Sequence, residues 1–390
     1  MRAALALLPG LITGLIGGGA STASADDAAR GGAAGGDVLG VGAAIGAGGQ
    51  GSATYSAIDL GLNVAWRGSR LGLGGRGVWL DGAWRTRDWQ SATDAVRVLR
   101  LLEVAATPGG VQLALAGGRL APAQLAHVAD GHRAVIDDRP RTGARAALAS
   151  RSFAAGLEID DVLEPSLVGG ALAWQLAPPW GVVAAAAIDP GAASESRPRP
   201  GAATTLAAIE IAVARRWEHT RARTDVGVGL VGEPALGTSA VAFAATTLER
   251  AGARWSARGE LRGGTGTVGA AFGPLHRYER TRHTGDGGFG GALALGVAGT
   301  PGWLELGVRA RPDLGMLATA SAGAPMGRWL QAGGWLATSR DATAGAAELR
   351  VAWARRMSSA LELARMITVT DEMEPVVAWS ASVWFGIASD

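Results

Sequence analysis

The segment Pro375–Ile387, which reads PVVAWSASVWFGI, decides the fold class because its side chains alternate in character with a period of two. One face is apolar along its whole length, and the opposite face holds small and polar side chains with one tryptophan. The first face carries Val377, Trp379, Ala381, Val383, Phe385 and Ile387, and the second carries Ala378, Ser380, Ser382, Trp384 and Gly386. This period predicts a β-strand, and about 9–11 tilted residues suffice for a strand to cross a bilayer. The segment therefore predicts a membrane-spanning strand whose aromatic side faces lipid.

The same segment resembles the last strand of Gram-negative outer-membrane β-barrel proteins. In that family the last strand carries an assembly signal of the form polar, any, Gly, any, any, aromatic, any, aromatic, and here Ser380, Ser382, Phe385 and Ile387 occupy the defined places. Ser382 stands where Gly is usual, and Ala388–Asp390 follow where such chains usually stop on Phe. The resemblance implies insertion by the barrel assembly machinery into the outer membrane of a Gram-negative bacterium, among lipid and lipopolysaccharide. The alternative is an edge strand of a soluble β-sandwich.

Composition favours a membrane wall over a packed globular core. Of 390 residues 61 are Gly, and 14 Trp accompany only 5 Phe and 2 Tyr. A barrel needs one face towards lipid and one towards water, and amphipathic indole rings suit the two membrane interfaces. The chain has no Cys, which excludes disulfides and thiolate metal sites. Its net charge is only +2, without the clustered positive charge that nucleic-acid binding requires.

The amino terminus predicts export. Arg2 precedes an apolar run, Ala3–Gly19, and Ala23–Ala25 forms an A-x-A cleavage site. We therefore predict a signal peptide over residues 1–25, a Gly/Ala linker over residues 26–37 and a single outer-membrane β-barrel over residues 38–390.

Alternation of apolar and polar residues recurs along the chain, most clearly in Ile58–Arg67, Ala253–Arg262 and Leu304–Arg311. We predict a closed antiparallel transmembrane β-barrel of about 20 strands, with 16 or 18 as alternatives, because closure with both ends on one side requires an even number. The predicted strands are residues 38–48, 54–67, 70–82, 95–106, 110–120, 143–151, 153–161, 168–178, 180–188, 203–217, 222–232, 238–250, 252–262, 288–298, 302–311, 314–322, 328–338, 345–356, 358–369 and 375–387. Arg365 falls on the predicted lipid face, which indicates a bulge or a position near the interface.

Turn lengths and tryptophans agree with this topology. Bacterial barrels alternate short periplasmic turns with longer outer loops. The predicted long connections, residues 83–94, 121–142, 189–202 and 263–287, all fall on one side of the barrel, opposite the short ones. Several tryptophans are expected at strand ends in the interfaces, namely Trp66, Trp79, Trp217, Trp303, Trp353 and Trp384.

Charged residues on the polar faces predict the lining of a lumen, because a barrel of 16 or more strands is too wide for side chains to fill. The predicted lining consists of Asp59, Asn63, Arg254, Arg258, Glu260, Arg262, Glu305, Arg309, Arg311, Glu348 and Arg350. The connection Ala121–Thr142 resembles in type the charged constriction of diffusion porins through Arg133, Asp137, Asp138, Arg139 and Arg141. These charges either orient polar solutes in a transverse field or only brace the wall, and both readings stay open.

We predict a passive outer-membrane channel for small hydrophilic solutes, with no cofactor, no metal site and no enzymatic activity. One alternative is a non-conducting barrel with an adhesion, assembly or structural role. Another is a barrel hydrolase, which would need one of the five histidines, His127, His132, His219, His276 or His283, beside a Ser or Asp at the rim. Acidic clusters at residues 137–138, 160–164 and 371–374 are either solvated loops or Ca²⁺ sites. The solute, its charge and the oligomeric state are left open.

Overall fold

The computed structural model describes most of the predicted barrel. It covers residues 38–66, 69–85, 89, 91–118, 120, 123–125, 128–132, 142–163, 165–190, 206–217, 222–233, 237–250, 252–264, 288–299, 302–311, 315–327, 329–340, 343–354, 357–369 and 375–388. The predicted signal peptide and linker, residues 1–25 and 26–37, lie outside the described residues. None of the helices in the described part of the chain is long and apolar enough to span a bilayer.

Twenty antiparallel strands form one wall. They are β1 (Val38–Gln50), β2 (Ala53–Trp66), β3 (Ser69–Leu80), β4 (Leu99–Ala106), β5 (Gln112–Gly118), β6 (Gly143–Ala149), β7 (Phe153–Ile159), β8 (Val168–Ala177), β9 (Trp180–Asp189), β10 (Leu206–Trp217), β11 (Ala222–Glu233), β12 (Gly237–Arg250), β13 (Ala253–Gly264), β14 (Gly288–Gly299), β15 (Gly302–Arg311), β16 (Gly315–Pro325), β17 (Leu330–Thr338), β18 (Thr343–Ala354), β19 (Met357–Val369) and β20 (Pro375–Ala388). Short extra strands, Ala83–Trp84, Ala123–Leu125 and Ala129–His132, lie in the connections.

The sheet closes because the first strand pairs with the last. β1 and β20 are antiparallel, with partners running from Gly40 and Ala388 to Gln50 and Ala378. Closure removes the row of unpaired backbone N–H and C=O groups that an open edge would present to lipid. The predicted fold class, a closed antiparallel β-barrel of about 20 strands, is confirmed.

Side-chain exposure identifies the outer face of the wall. Large apolar side chains are exposed at every second position, as Ile45 (70%), Leu261 (74%) and Phe385 (59%) illustrate. Between them, the inner face carries Gly, Ala and charged residues, and Glu260 and Arg262 on either side of Leu261 are buried. The outer face therefore forms an apolar belt, which is the surface that a membrane barrel presents to lipid.

The strand predicted at residues 95–106 was wrong in its first part. Residues Ala92–Val98 form a 3₁₀ helix, and β4 begins only at Leu99. The carboxylate of Asp94 accepts a hydrogen bond from the backbone N–H of Ser91 at 2.8 Å and pairs with Arg97 at 3.3 Å. These local polar contacts stabilise the start of a helical turn, so the residues before Leu99 do not follow the alternation of a strand.

The long connections leave one end of the barrel and the short ones leave the other. Residues 81–98, 119–142, 190–205 and 265–287 separate strands at the first end, whereas turns such as residues 178–179 and 300–301 join strands at the second. The first is called here the loop end and the second the turn end. The turn end corresponds to the periplasmic side, since short turns face the periplasm in bacterial barrels.

Tryptophans concentrate on the outer face near the turn end. Those that are exposed there are Trp66, Trp174, Trp180, Trp217, Trp255 and Trp353. Trp79 and Trp379 lie on the same face nearer the loop end. Trp303 and Trp384 alternate with the exposed Leu304 and Phe385 and therefore face inwards, the face that the alternation in Pro375–Ile387 predicts for Trp384. The indole girdle is thus denser at the turn end.

Arg365 faces outwards in a regular part of β19, where its partners are Gly345 and Trp379. Its guanidinium donates a hydrogen bond to the carbonyl oxygen of Thr343 at 3.0 Å, at the loop end of β18. No bulge occurs at this position, so its nearness to the interface is what accommodates the charge.

The pairing of β1 with β20 is called here the seam. On the inner face, Trp384 packs across it. Its side chain is buried, and its ring lies over Gly42 and Gly386, where an added Cβ would meet ring atoms. At Gly42 that Cβ would lie 2.7 Å from Cζ2 of Trp384. Glycine at these places lets the indole lie flat against the wall, as aromatic side chains do over glycine in sheets.

We expect Gly42→Val to weaken the seam, because the new side chain displaces the Trp384 ring. Overpacking of this kind costs about 1–3 kcal/mol. The loss is measured as a lower temperature at which the compact, fast-migrating form disappears in electrophoresis. Gly75→Val is the matched control, since nothing lies within 4 Å of a Cβ at Gly75. Equal destabilisation by both variants would contradict the role of Trp384.

Candidate permeation pathway

The predicted lumen-lining residues occupy inner-face positions. Ile58, Leu60 and Leu62 are exposed on the outside of β2, which places Asp59 and Asn63 inside. The same alternation places the predicted residues of β13, β15 and β18 on the inner face, namely Arg254, Arg258, Glu260, Arg262, Glu305, Arg309, Glu348 and Arg350. Arg311 is described only as the last backbone position of β15, opposite Gly315.

A buried Arg–Glu–Arg group lies along β13. Arg258 Nη2 is 2.7 Å from one carboxylate oxygen of Glu260, and Arg262 Nε is 2.8 Å from the other. Residues two apart on a strand point to the same face, so this spacing brings all three side chains together. The guanidinium carbon of Arg258 also lies 5.4 Å from the centroid of the Phe243 ring. Glu260 is thus bound between two guanidinium groups against the wall.

The same two-residue spacing pairs Glu348 with Arg350. Arg350 Nη2 lies 2.6 Å from a carboxylate oxygen of Glu348, and both side chains are largely shielded. Arg223 and Asp225 repeat the arrangement on β11 with a distance of 2.8 Å. Alternation on one strand is thus enough to brace the wall with charge.

Asp59 is held by Arg100, a residue that the alternation did not predict. The Arg100 guanidinium donates to both carboxylate oxygens of Asp59, at 2.9 and 3.1 Å. Its side chain crosses β3 above Gly74, where an added Cβ would lie 3.1 Å from Cγ of Arg100. The pairing of β3 with β4 shifts between Gly72 and Leu73, and this bulge gives Arg100 its position.

Arg145 and Glu158 form a second buried pair that sequence reasoning missed. They are direct partners on β6 and β7, joined by hydrogen bonds of 2.9 and 2.8 Å, with side chains only 6% and 2% exposed. The strands alternate correctly, with Leu148 and Leu157 outside. The alternation of apolar and polar residues is weak in these two strands because Ala and Gly occupy much of both faces.

Among the residues whose exposure the structure describes, three charged residues on the inner face stay exposed, and all three lie near the turn end. They are Glu249 at the end of β12, its partner Arg254 at the start of β13, and Glu305 near the start of β15. Ser256 and Glu305 face each other across Gly296 of β14, whose added Cβ would be 2.5 Å from Oγ of Ser256. These three residues are called here the mouth charges. They are accessible to a solute, unlike the buried groups of β6, β7 and β13.

Near the loop end a hairpin packs against an apolar part of the inner wall. Its strands are Ala123–Leu125 and Ala129–His132. Leu125 and Val128 are buried in one cluster with inner-face residues of β8 to β12, among them Ala171, Ala187 and Phe243. Gly169 provides the room for Leu125, because an added Cβ would lie 2.5 Å from its Cδ1. The hairpin therefore occupies part of the lumen cross-section.

The remaining predicted residues belong to the constriction loop and to the assembly signal. The predicted constriction residues Arg133, Asp137, Asp138, Arg139 and Arg141 lie outside the described residues. In the predicted assembly signal, Ser380 and Ser382 face inwards and Phe385 and Ile387 are exposed outside.

The acidic residues of the β7–β8 connection satisfy their own loop. Asp160 accepts hydrogen bonds from the backbone N–H groups of Ser166 and Leu167 at 2.8 and 2.9 Å, and Asp161 accepts one from Leu163 at 3.1 Å. Within the described ranges no cluster of metal-ligating side chains occurs.

A closed wall with an apolar outer belt and a charged inner face is the architecture of an outer-membrane β-barrel. No family model matches the sequence, and no curated protein matches it significantly.

Among solved structures the chain is similar to Pseudomonas aeruginosa barrels. OpdK with vanillate has 10% identity, covers 90% of this chain and 99% of its own, and gives a TM-score of 0.38. OccK5 (OpdH) has 9% identity, coverages of 91% and 98%, and a TM-score of 0.38. OccK11 (OpdR) has 11% identity, coverages of 91% and 96%, and a TM-score of 0.37. Similarity of this degree says nothing about solute or role.

We expect Glu158→Gln to destabilise the barrel by about 3–5 kcal/mol, because it leaves the buried Arg145 without a compensating charge. The free energy of unfolding in urea measures this loss. Glu103→Gln is the control, since Glu103 pairs with Arg70 at 3.5 Å where side chains are 37% and 41% exposed, and such pairs are worth about 0–1 kcal/mol. Replacing Arg145 and Glu158 together by Met should recover most of the stability. Equal losses in the two single variants would contradict the bracing role.

Proposed function

We propose that the chain is an outer-membrane channel through which small hydrophilic solutes diffuse passively. The observation that carries the proposal is the separation of inner-face charges into buried groups that brace the wall and mouth charges that remain exposed. Bracing alone would not require Glu249, Arg254 and Glu305 to stay accessible. A solute entering from the turn end meets these side chains first.

The mouth charges carry both signs. Arg254 lies between Glu249, its direct partner, and the position of Glu305, so positive and negative side chains alternate around this part of the wall. Neighbouring charges of opposite sign on one part of the wall produce a local field that orients dipolar solutes. In a narrow water-filled space such a field acts over roughly 8 Å at physiological salt.

The partners of the barrel are part of the same proposal. The exposed Phe385 and Ile387 of β20 are accessible to the barrel assembly machinery before insertion. Outer-face Arg365, near the loop end, places one positive charge where the acidic groups of lipopolysaccharide lie. No enzymatic step is assigned to the chain.

Reconstitution into planar bilayers tests the channel directly. We expect stepwise conductance from the full chain, because each barrel that inserts with an open lumen adds one unit of current. Arg254→Gln should raise the permeability ratio of cation to anion by about two- to fivefold, and Glu305→Gln should lower it by a similar factor, as removal of one screened charge implies. Arg365→Gln, on the outer face, should leave the ratio unchanged. Absence of conductance would overturn the proposal.

A second candidate is a barrel that conducts nothing, and the packed hairpin favours it. Leu125 is only 1% exposed, and the cluster around it spans the inner faces of neighbouring strands from β6 to β12. If the hairpin closes the lumen, the barrel serves an adhesion, assembly or structural role.

We expect Leu125→Ala to distinguish the two functions. Truncation of a fully buried Leu costs about 2–5 kcal/mol locally, so the hairpin should detach more often from the wall. In a conducting barrel this raises the mean conductance and the current noise; in a plugged one it creates conductance that the unmodified chain lacks. Leu176→Ala, which removes the same atoms from the lipid face, is the control. Unchanged currents would show that the hairpin does not restrict the lumen.

A further inference from the structure

Arg215 is a cation on the lipid face of the wall. It lies on β10 between Val213 and Trp217, which are 49% and 43% exposed on the outside. Its guanidinium carbon is 4.0 Å from the centroid of the Trp217 ring and 5.0 Å from that of Trp180, its direct partner on β9. Two indoles therefore hold the guanidinium in place by cation–π attraction.

The charge of Arg215 is not balanced by the wall around it. On the outer faces of β8 to β12, the described residues include no Asp or Glu. Arg215 Nε is buried and makes no hydrogen bond. The acidic Asp225 of β11 lies on the inner face and pairs with Arg223. The described outer wall therefore offers Arg215 no carboxylate, and its side chain is on the face that contacts the membrane.

Hydroxyl groups next to Arg215 add a hydrogen-bond donor. Trp217 Nε1 donates to Oγ1 of Thr224 at 3.2 Å, and Thr224 and Thr246 share a hydrogen bond of 3.2 Å. Only one of these two hydroxyls can donate to the other, so one hydroxyl proton is left for another acceptor. Thr224 is the direct partner of Arg215 and Thr246 is the direct partner of Thr224, so the remaining proton lies on one of the two strands that follow Arg215 in the sheet.

The position of Arg215 along the barrel axis indicates which group of a lipid it contacts. It lies near the end of β10, within the tryptophan girdle of the turn end. Indole girdles lie at the level of lipid head groups, and the turn end faces the periplasm. A guanidinium and a hydroxyl together match the oxygens of a phosphodiester.

We propose that Arg215, clamped between Trp180 and Trp217 and assisted by Thr224 and Thr246, binds the phosphate of a phospholipid head group in the periplasmic leaflet. Net-negative head groups such as phosphatidylglycerol bind most tightly, since the site itself contributes only positive charge. The site is on the outside of the barrel, so its occupancy does not depend on conduction through the lumen.

Native mass spectrometry of the full chain in mild detergent, titrated with phosphatidylglycerol, tests the site. We expect Arg215→Gln to weaken retention of one lipid by about fivefold, the factor that about 1 kcal/mol per interfacial arginine implies. Arg216→Gln is the matched control, because it removes the same charge from the next residue, on the inner face. Arg215→Lys should fall between the two, since it keeps the charge but lacks a planar group that stacks between indoles.

The outcomes separate the lipid site from its alternatives. Unchanged retention in Arg215→Gln, or an equal loss in Arg216→Gln, would overturn the assignment. Displacement of the lipid by excess inorganic phosphate would show a site for free phosphate instead. Should Arg215→Gln fail to fold, as loss of the compact electrophoretic form would reveal, Thr246→Val keeps the arginine and should still lower retention.

Discussion

The whole structure depends on the need to satisfy every backbone N–H and C=O group inside a membrane. The hydrocarbon region offers no water, so an unpaired strand edge is costly, and an antiparallel sheet avoids it only by closing. Here closure falls between a glycine-rich first strand and a last strand that carries two tryptophans. Trp384 covers Gly42 on the inside, and Trp379 lies close to Gly49 on the outside, so indole rings support the seam from both faces.

Small residues inside the wall give charged side chains somewhere to lie. Arg100 reaches Asp59 only because Gly74 leaves the path clear, and Leu125 packs against the wall only because residue 169 is glycine. Large residues at these places would push the side chains into the lumen. Glycine at these inner-face positions is therefore explained by close approach, which matters more here than filling a core.

The two ends of the barrel differ in what they expose. The loop end holds the 3₁₀ helix and the hairpin, which pack inwards and cover apolar parts of the wall. The turn end has the dense tryptophan girdle outside and the mouth charges inside. In the channel that we propose, the packed segments restrict passage at one end and the mouth charges orient solutes at the other. The outer girdle with Arg215 anchors the same end in the lipid head groups.

Periodicity was enough to predict a closed barrel of about 20 strands and to assign the residues of the clearly alternating strands to one face or the other. A period of two is a local feature of the sequence, and the membrane imposes it on nearly every strand with the apolar side chains outside. It failed at residues 95–98, where Ser91 and Asp94 stabilise a helical turn through hydrogen bonds that a strand pattern does not register.

Only the tertiary structure decided which charged side chains contact one another. Spacing on one strand explains why Arg258 and Arg262 share Glu260. Three other contacts depend on the register between strands, namely those of Arg100 with Asp59, of Arg145 with Glu158 and of Arg215 with Trp180. Register is set by closure, bulges and turn geometry together, so it is a property of the whole sheet. The sequence by itself determined the face of residues on the clearly alternating strands. The fold decided which charges pair and which stay exposed, because pairing depends on the register between neighbouring strands.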